Sequence, residues 1–273
     1  MVDLTINTDV ARQILTNFLR SEVTRVGYRR AVIALSGGLD SALSLVLAVE
    51  ALGAENVLAV RMPYKSSSAD SLEHAQLLID QFKIPSETIE ITEMVDPLAA
   101  RDPEITKHRK GNIMARSRMI VLYDQSEVFK GLVIGTSNKT EILLGYSTLW
   151  GDMASALNPI GDLYKTQVRQ LSHALEIPSV IVDKAPSADL WAGQTDEGEL
   201  GFTYEEVDKL LYLLVDQRYS QQECVEEGFD ANFVSTVVMR IRRNQFKRMM
   251  PPIAKLSNRT IGYDFLYLRD WGT

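Results

Sequence analysis

The stretch 33-IALSGGLDSALSLVLAVEALG-53 decides the fold. It opens on an apolar run, turns at Ser36-Gly37-Gly38, passes Leu39-Asp40-Ser41 and continues as a long amphipathic segment ending at Gly53. The pattern is strand, glycine loop, helix. Two glycines let the backbone approach an anion closely and aim successive N–H groups at it. The helix behind them adds its positive N-terminal end. Ser36 and Ser41 add hydroxyl donors. Asp40 would repel a phosphate unless Mg²⁺ lay between them, a cation that prefers carboxylate and phosphate oxygens. The plainer alternative makes Asp40 the cap of an ordinary glycine turn. The lysine of a Walker A loop is absent, so this phosphate site is of another type.

Outward from the loop, strands and helices alternate. Residues 10–26 carry Val10, Ile14, Leu15, Phe18, Leu19, Val23 and Val26 at the spacing of one helical face, capped by Thr8 or Asp9 and stopped by Gly27. The runs 31–35, 56–62, 88–91 and 131–135 read as strands. Helices are expected over 69–82, from about 112 to 129 and over 162–177. A first strand apolar on both faces implies a parallel sheet covered on both sides. The alternation predicts an α/β, doubly wound fold with ligands at the carboxyl ends of the strands. The glycine loop, Arg61-Met62-Pro63 and 135-GTSNK-139 all fall there. Beyond about 158 the texture changes. Residues 186–202 read as a polar loop, Thr203 and Glu206 as a capping box, and the rest as helical to about Arg248. This part extends one domain: a core of about 10–185, then a C-terminal loop and helical extension of about 186–273.

The 273 residues are 45% hydrophobic and 24% charged, with a net charge of −7. The acidic balance argues against nucleic acid as the main partner. Basic clusters at Arg29-Arg30, 107–110 and 240–248 read first as solvated helix faces, with docking of an anionic small molecule as the alternative. No apolar run is long enough to span a membrane and no signal peptide is visible, so no membrane partner is expected. Cys224 is the only cysteine, which excludes an internal disulfide or a zinc cluster and suits a cytoplasmic location.

The loop 36-SGGLDS-41 resembles the PP-loop of the ATP pyrophosphatase superfamily, in which ATP transfers AMP and pyrophosphate leaves. Four more segments follow in order: 111-GNIMARSRM-119, 135-GTSNKTE-141, 158-NPIGDLYKTQVRQL-171 and 186-PSADLWAGQTDEGELG-201. Together the five closely resemble the ammonia-dependent NAD⁺ synthetases over nearly the whole chain. That resemblance implies an adenine nucleotide alpha hydrolase-like fold and amidation of deamido-NAD by ammonia, through a dinucleotide adenylate, with release of AMP and pyrophosphate. It also implies a homodimer, with the helices around 112–129 as candidate interface. The synthetase pattern begins near residue 10, so no N-terminal glutaminase domain is expected.

Carried over residue by residue, the resemblance gives Ala34, Leu35, Ser36, Gly37, Gly38, Leu39, Asp40, Ser41, Thr136, Lys165 and Ser187 as ATP contacts. Asp40 and Glu141 become the Mg²⁺ ligands, although Glu141 and Lys165 taken alone read as surface helix residues. Arg116, Asn112 and Lys247 become deamido-NAD contacts, with Arg118 as either a neighbour in this role or a partner of a surface acid. Phe246 stands where relatives carry a histidine. Leu149 and Ala156 stand at two deamido-NAD contact positions where many relatives carry a lysine and an aspartate, a departure that points to a subgroup. Trp150 packs either on the nicotinate, on a dimer partner or in the core. Asp152 is a candidate buried base that takes a proton from ammonium; the alternative is a purely structural role.

Three rivals compete. A tRNA thiolase or lysidine-type synthetase would need a basic surface, and a thiolase paired cysteines. A GMP-synthetase-like enzyme lacks PSADL-WAGQTDE. A non-catalytic ATP-binding module would not need Asp40, Glu141, Lys165 and Asp152 together.

Overall fold

The computed structural model describes residues 2–191 and 193–266. Ala192, inside the 186–201 motif, and the last part of the expected irregular tail lie outside the described residues. Helix α1 (Thr8–Arg25) is capped by Asn7, whose side chain accepts from the Val10 N–H. Strand β1 (Arg30–Ala34) leads into α2 (Leu39–Leu52), which ends at Gly53. There follow β2 (Val57–Arg61), α3 (Ala69–Phe82), β3 (Ser86–Thr88), α4 (Thr92–Ala99), α5 (Lys107–Phe129) and β4 (Gly131–Ile134).

Among the described residues the sheet has four strands in the order β3-β2-β1-β4, all parallel. Alternate residues of each strand point to opposite faces. Ala31, Ile33, Val57, Ala59 and Ile134 join a core beneath α1, α2 and α3. Val32, Leu58, Val60 and Val133 join a second core beneath α4 and α5. This two-sided burial is why the strands read as continuous apolar runs. The chain moves outward from β1 to β2 and β3, then returns to place β4 on the other side of β1. The strand order therefore reverses between β1 and β4, and a crevice opens at their carboxyl ends.

After β4 come α6 (Lys139–Leu144), α7 (Lys165–Ala174), α8 (Ser179–Val182) and α9 (Asp196–Leu200). Next are α10 (Tyr204–Leu211), running into a π turn over Tyr212–Asp216, then α11 (Gln221–Glu226) and α12 (Ala231–Arg243). These last helices bury a third cluster that includes Tyr164, Tyr204, Val207, Leu211, Cys224 and Val237.

Several expectations need correction. Leu19 and Val23 of α1 are buried, but Val10, Ile14, Phe18 and Val26 are exposed. The helix lies on the surface and uses a narrower stripe than its apolar spacing offers. Strand β3 is short and two residues earlier than expected, because it pairs only with the end of β2. Helix α5 starts at Lys107, where the Thr106 hydroxyl accepts from the Arg109 N–H. Helix α7 begins at Lys165 and ends at Ala174, inside its expected span. The polar segment 186–202 contains α9, capped by Thr195.

Candidate active site

The crevice widens into a cavity of about 1210 Å³. Gly37 has φ +76, and a Cβ there would fall 2.0 Å from the Ser71 carbonyl oxygen. Only glycine lets the loop pass this close to the start of α3. Asp40 is in the first turn of α2, not at its cap, which is Gly38. It is therefore free to face the cavity. Asn138, the cap of α6, donates from Nδ2 to Asp40 Oδ1 at 2.8 Å. The same Asn138 accepts from the Glu141 N–H at 3.0 Å, and Glu141 reaches back to the Asn138 N–H at 3.3 Å. This capping box fixes Glu141 at the carboxyl end of β4, beside Asp40 at the end of β1.

Lys165 lies between the two carboxylates. Its Nζ forms an ion pair with Asp40 and stands 3.6 Å from Glu141. Its side chain is only 6% exposed, which excludes the surface-lysine reading. Its backbone N–H donates to the Thr140 hydroxyl at 3.0 Å. Burial disfavours the Lys165 ammonium, but Asp40 and Glu141 outweigh it and raise its pKa. Glu141 is pushed up to about 8, first by burial and then by the facing Asp40, with Lys165 opposing. Asp196 adds a third carboxylate, held by the Tyr204 hydroxyl at 3.0 Å and the Tyr146 hydroxyl at 3.2 Å. Burial raises its pKa as well, against Lys165. Asp40 and Glu141 carry more carboxylate than the one ammonium between them neutralises, oxygen donors of the kind a hard divalent cation takes, although among the described residues no three His, Cys, Asp or Glu side chains come together as a complete metal cage.

At the other end of the cavity Asp152 accepts from the Thr148 N–H at 2.7 Å. Asp152 is exposed on the cavity wall and not sealed from solvent as a buried base would be. The protein packed around it still raises its pKa, partly offset by the Thr148 hydrogen bond, Lys247 and Arg118. Lys247 donates to the carbonyls of Gly145 and Ser147, each at 2.7 Å.

The expected site residues divide into two groups. Ala34, Leu35, Ser36, Gly38, Leu39, Asp40, Ser41, Thr136, Glu141, Lys165, Ser187, Asn112, Asp152 and Lys247 line the large cavity. Arg116 does not; with Asn112, Arg101 and Arg109 it lines a smaller cavity of about 440 Å³ on the outer side of α5. Arg116 donates to the Leu149 carbonyl at 3.1 Å. Ala156 is used by the backbone, its N–H donating to Val133 beside β4. Phe246 is 59% exposed and Trp150 48%, so Trp150 is not a core residue. Of the basic clusters, 107–110 and 240–248 each contribute to the large cavity, through His108, Arg240 and Lys247.

Sequence reasoning missed Asn138, Tyr146, Lys184, Asp189, Asp196 and Arg240, and left Arg118 undecided, although all but Asn138 line the cavity. Asn138 and Asp196 were legible inside their motifs as polar residues at helix starts. Tyr146 and Arg240 carry no local signal, because they reach the site through tertiary packing.

The chain is similar to known proteins over nearly its whole length. The NAD synthase family profile matches residues 11–251. The NH(3)-dependent NAD(+) synthetase of Chlorobium phaeovibrioides is 56% identical over 269 residues, covering 98% of this chain and 97% of its own. Among solved structures, the NH3-dependent NAD synthetase from Campylobacter jejuni, in complex with the nitrate ion, superposes with a TM-score of 0.79 at 33% identity, covering 92% of this chain and 100% of that one. The NMN synthetase from Francisella tularensis superposes with a TM-score of 0.82 at 32% identity over the same shares.

Proposed function

The chain belongs to the NAD synthase family, and on that premise we propose how its cavity carries out the amidation. The enzyme is a ligase that forms a C–N bond, an ammonia-dependent NAD⁺ synthetase. The nicotinate carboxylate of deamido-NAD attacks the α-phosphorus of ATP, and pyrophosphate leaves. Ammonia then attacks the acyl carbon, AMP leaves, and the nitrogen sheds its extra proton.

In this reading the PP-loop N–H groups, Ser36, Ser41 and Lys165 hold the β- and γ-phosphates. Thr136 and Ser187 contact the rest of ATP. Asp40 and Glu141 are the residues that would hold Mg²⁺, and the chemistry such an ion would supply is charge neutralisation on the phosphate oxygens. Lys165, kept protonated by the same carboxylates, offsets charge gathering on the departing phosphates. Asp152 accepts the proton from the attacking nitrogen; its raised pKa brings its basicity closer to that task. Asn112 and Lys247 bind the acceptor dinucleotide, and Arg116, which faces the smaller cavity, acts on the site through the Leu149 carbonyl. Leu149 and Ala156 act through their backbones, in keeping with the Arg116 and Val133 hydrogen bonds.

The observation that carries the reading is the convergence of Asp40, Glu141 and Lys165 at the point where strand order reverses. We further infer a homodimer, supported by the exposed Ile120, Tyr123 and Val128 of α5 and the exposed Trp150. A cytoplasmic setting is supported by the lone, buried, unpaired Cys224.

A paired assay tests the function. Protein receives ATP, Mg²⁺ and deamido-NAD, with ammonium or with glutamine, and NAD⁺ and pyrophosphate are followed. NAD⁺ with ammonium but not glutamine is the expected result. Pyrophosphate without NAD⁺ would remove the role given to Asp152, and neither product would sink the reading. A parallel arm with the nicotinate mononucleotide is required, because the Francisella tularensis neighbour is named for the mononucleotide product.

A further inference from the structure

The charged groups of the cavity form two centres. Asp40, Glu141, Lys165 and Asp196 act on one another at the phosphate end. Asp152 feels chiefly Lys247 and Arg118 among the cations. Lys247 is committed to two carbonyls, and Lys184, elsewhere on the wall, to the Ser71 hydroxyl at 3.1 Å. Arg118 differs. It projects from α5 and donates from Nε to the Met62 carbonyl at 3.1 Å, and its Nη2 only reaches the Ser67 hydroxyl at 3.5 Å. Among the described residues no carboxylate forms an ion pair with it, and most of its N–H donors are uncommitted. Asp152 and Asp189 act on it from a distance, and burial lowers its pKa. Among the described residues, two other guanidiniums of the wall lack an ion pair: Arg61 donates to Gln76 at 2.6 Å while its buried Nε has no partner, and Arg240, away from Asp152, donates to the Leu144 carbonyl at 3.3 Å and lies over the Tyr146 ring.

A partly buried cation without a counter-charge is unfavourable unless a ligand supplies one. Its planar fork matches a carboxylate through two parallel hydrogen bonds. The reacting group that must lie beside Asp152 is the acyl group to be aminated. We infer that Arg118 anchors the nicotinate carboxylate of the acceptor nucleotide, a contact that rests on the proposed function and assigns its substrate end. Arg118 offsets the repulsion between this carboxylate and the α-phosphate as they approach. Once the carboxylate has become a neutral amide, the charge-assisted pair is gone and the product is held less tightly.

Deamido-NAD and NAD⁺ differ only in that carboxylate, so they form the test pair. Calorimetric titration of both ligands is made into the wild type, Arg118→Gln and Arg118→Lys, with thermal unfolding as a check on folding. The wild type should prefer deamido-NAD. Arg118→Gln should weaken deamido-NAD about 10- to 100-fold, the size of a lost charged hydrogen bond, and leave NAD⁺ within about 3-fold. Arg118→Lys, which keeps the charge, should retain part of the preference and serves if the glutamine variant does not fold. The Michaelis constant for deamido-NAD should rise while that for ATP stays near its wild-type value. Equal weakening of both ligands would mean that Arg118 only supports Met62 and Ser67, and would overturn the inference. So would an unchanged preference in the variants, or no preference in the wild type. A wild type that makes no NAD⁺ from deamido-NAD would instead bring down the function on which the inference rests.

Discussion

Glu141 and Asp152 are both carboxylates with raised pKa values, and their surroundings give them different consequences. Glu141 rises from 4.5 to about 8 because it is enclosed and faces Asp40. Without bound metal, the folded protein then keeps a proton that the unfolded chain has lost between about pH 4.5 and 8. The stability from this group is complete below that window and lost as pH rises through it. Thermal unfolding in the presence of a chelator should therefore show the wild type losing several degrees relative to Glu141→Gln between pH 5 and 8.5. A constant difference across that range would contradict the assignment. Asp152 stands on an open wall with Lys247 and Arg118 near it. Asp152→Asn should lower ammonia-dependent turnover by about 100-fold or more, the range of general base catalysis, while pyrophosphate exchange into ATP continues. Full turnover in this variant would leave Asp152 a structural role only.

At the scale of elements, the site depends on how helices begin. Helix α2 brings Asp40 in its first turn, α6 brings Glu141 as the third residue of a capping box, and α7 starts at Lys165. Each start follows a loop at the same edge of the sheet. The helix ends therefore gather N–H groups and charged side chains where an anion must be held. The glycine loop fits because Gly37 passes against Ser71 of α3. Gly37→Ala would combine an unfavourable positive φ with a contact that cannot relax, at roughly 1–3 kcal/mol for the backbone strain alone. The expected outcome is loss of ATP-dependent pyrophosphate release, with a rise of about 10-fold or more in the Michaelis constant for ATP, and a lower melting temperature. Near-normal kinetics would show that α3 can move aside.

At the scale of the whole molecule, we propose that the α/β core and the C-terminal helices are one folding unit. Asp208 of α10 accepts from the Thr140 hydroxyl of α6 and from the Thr166 N–H of α7 at 2.8 Å. Asp216 accepts from Tyr164 and from Lys139. Asp208 is fully buried, so Asp208→Ala leaves a buried hydroxyl and an N–H without their acceptor. The expected loss is about 2–4 kcal/mol, read as a lower midpoint of a single denaturant transition seen alike by circular dichroism and tryptophan fluorescence. Two separated transitions would divide the chain near residue 186.

The sequence by itself determined the α/β class, the order of β1, α2, β2 and α3, and the glycine loop between β1 and α2. These follow from local causes: two-sided apolar strands, helical spacing and glycines at a turn. Helix α3 falls where its spacing predicts, and the carboxylates expected to share a cation do converge. Only the tertiary structure decided that Lys165 is enclosed between them, that Asp152 is open to the cavity, and that Arg116 faces a different cavity from Arg118. Arg116 and Arg118 are two residues apart on one helix, so a turn of about 200° separates their directions. Only the sheet beneath α5 fixes which of the two points inward. The raised pKa of Glu141 depends on burial and on Asp40, supplied from about a hundred residues away.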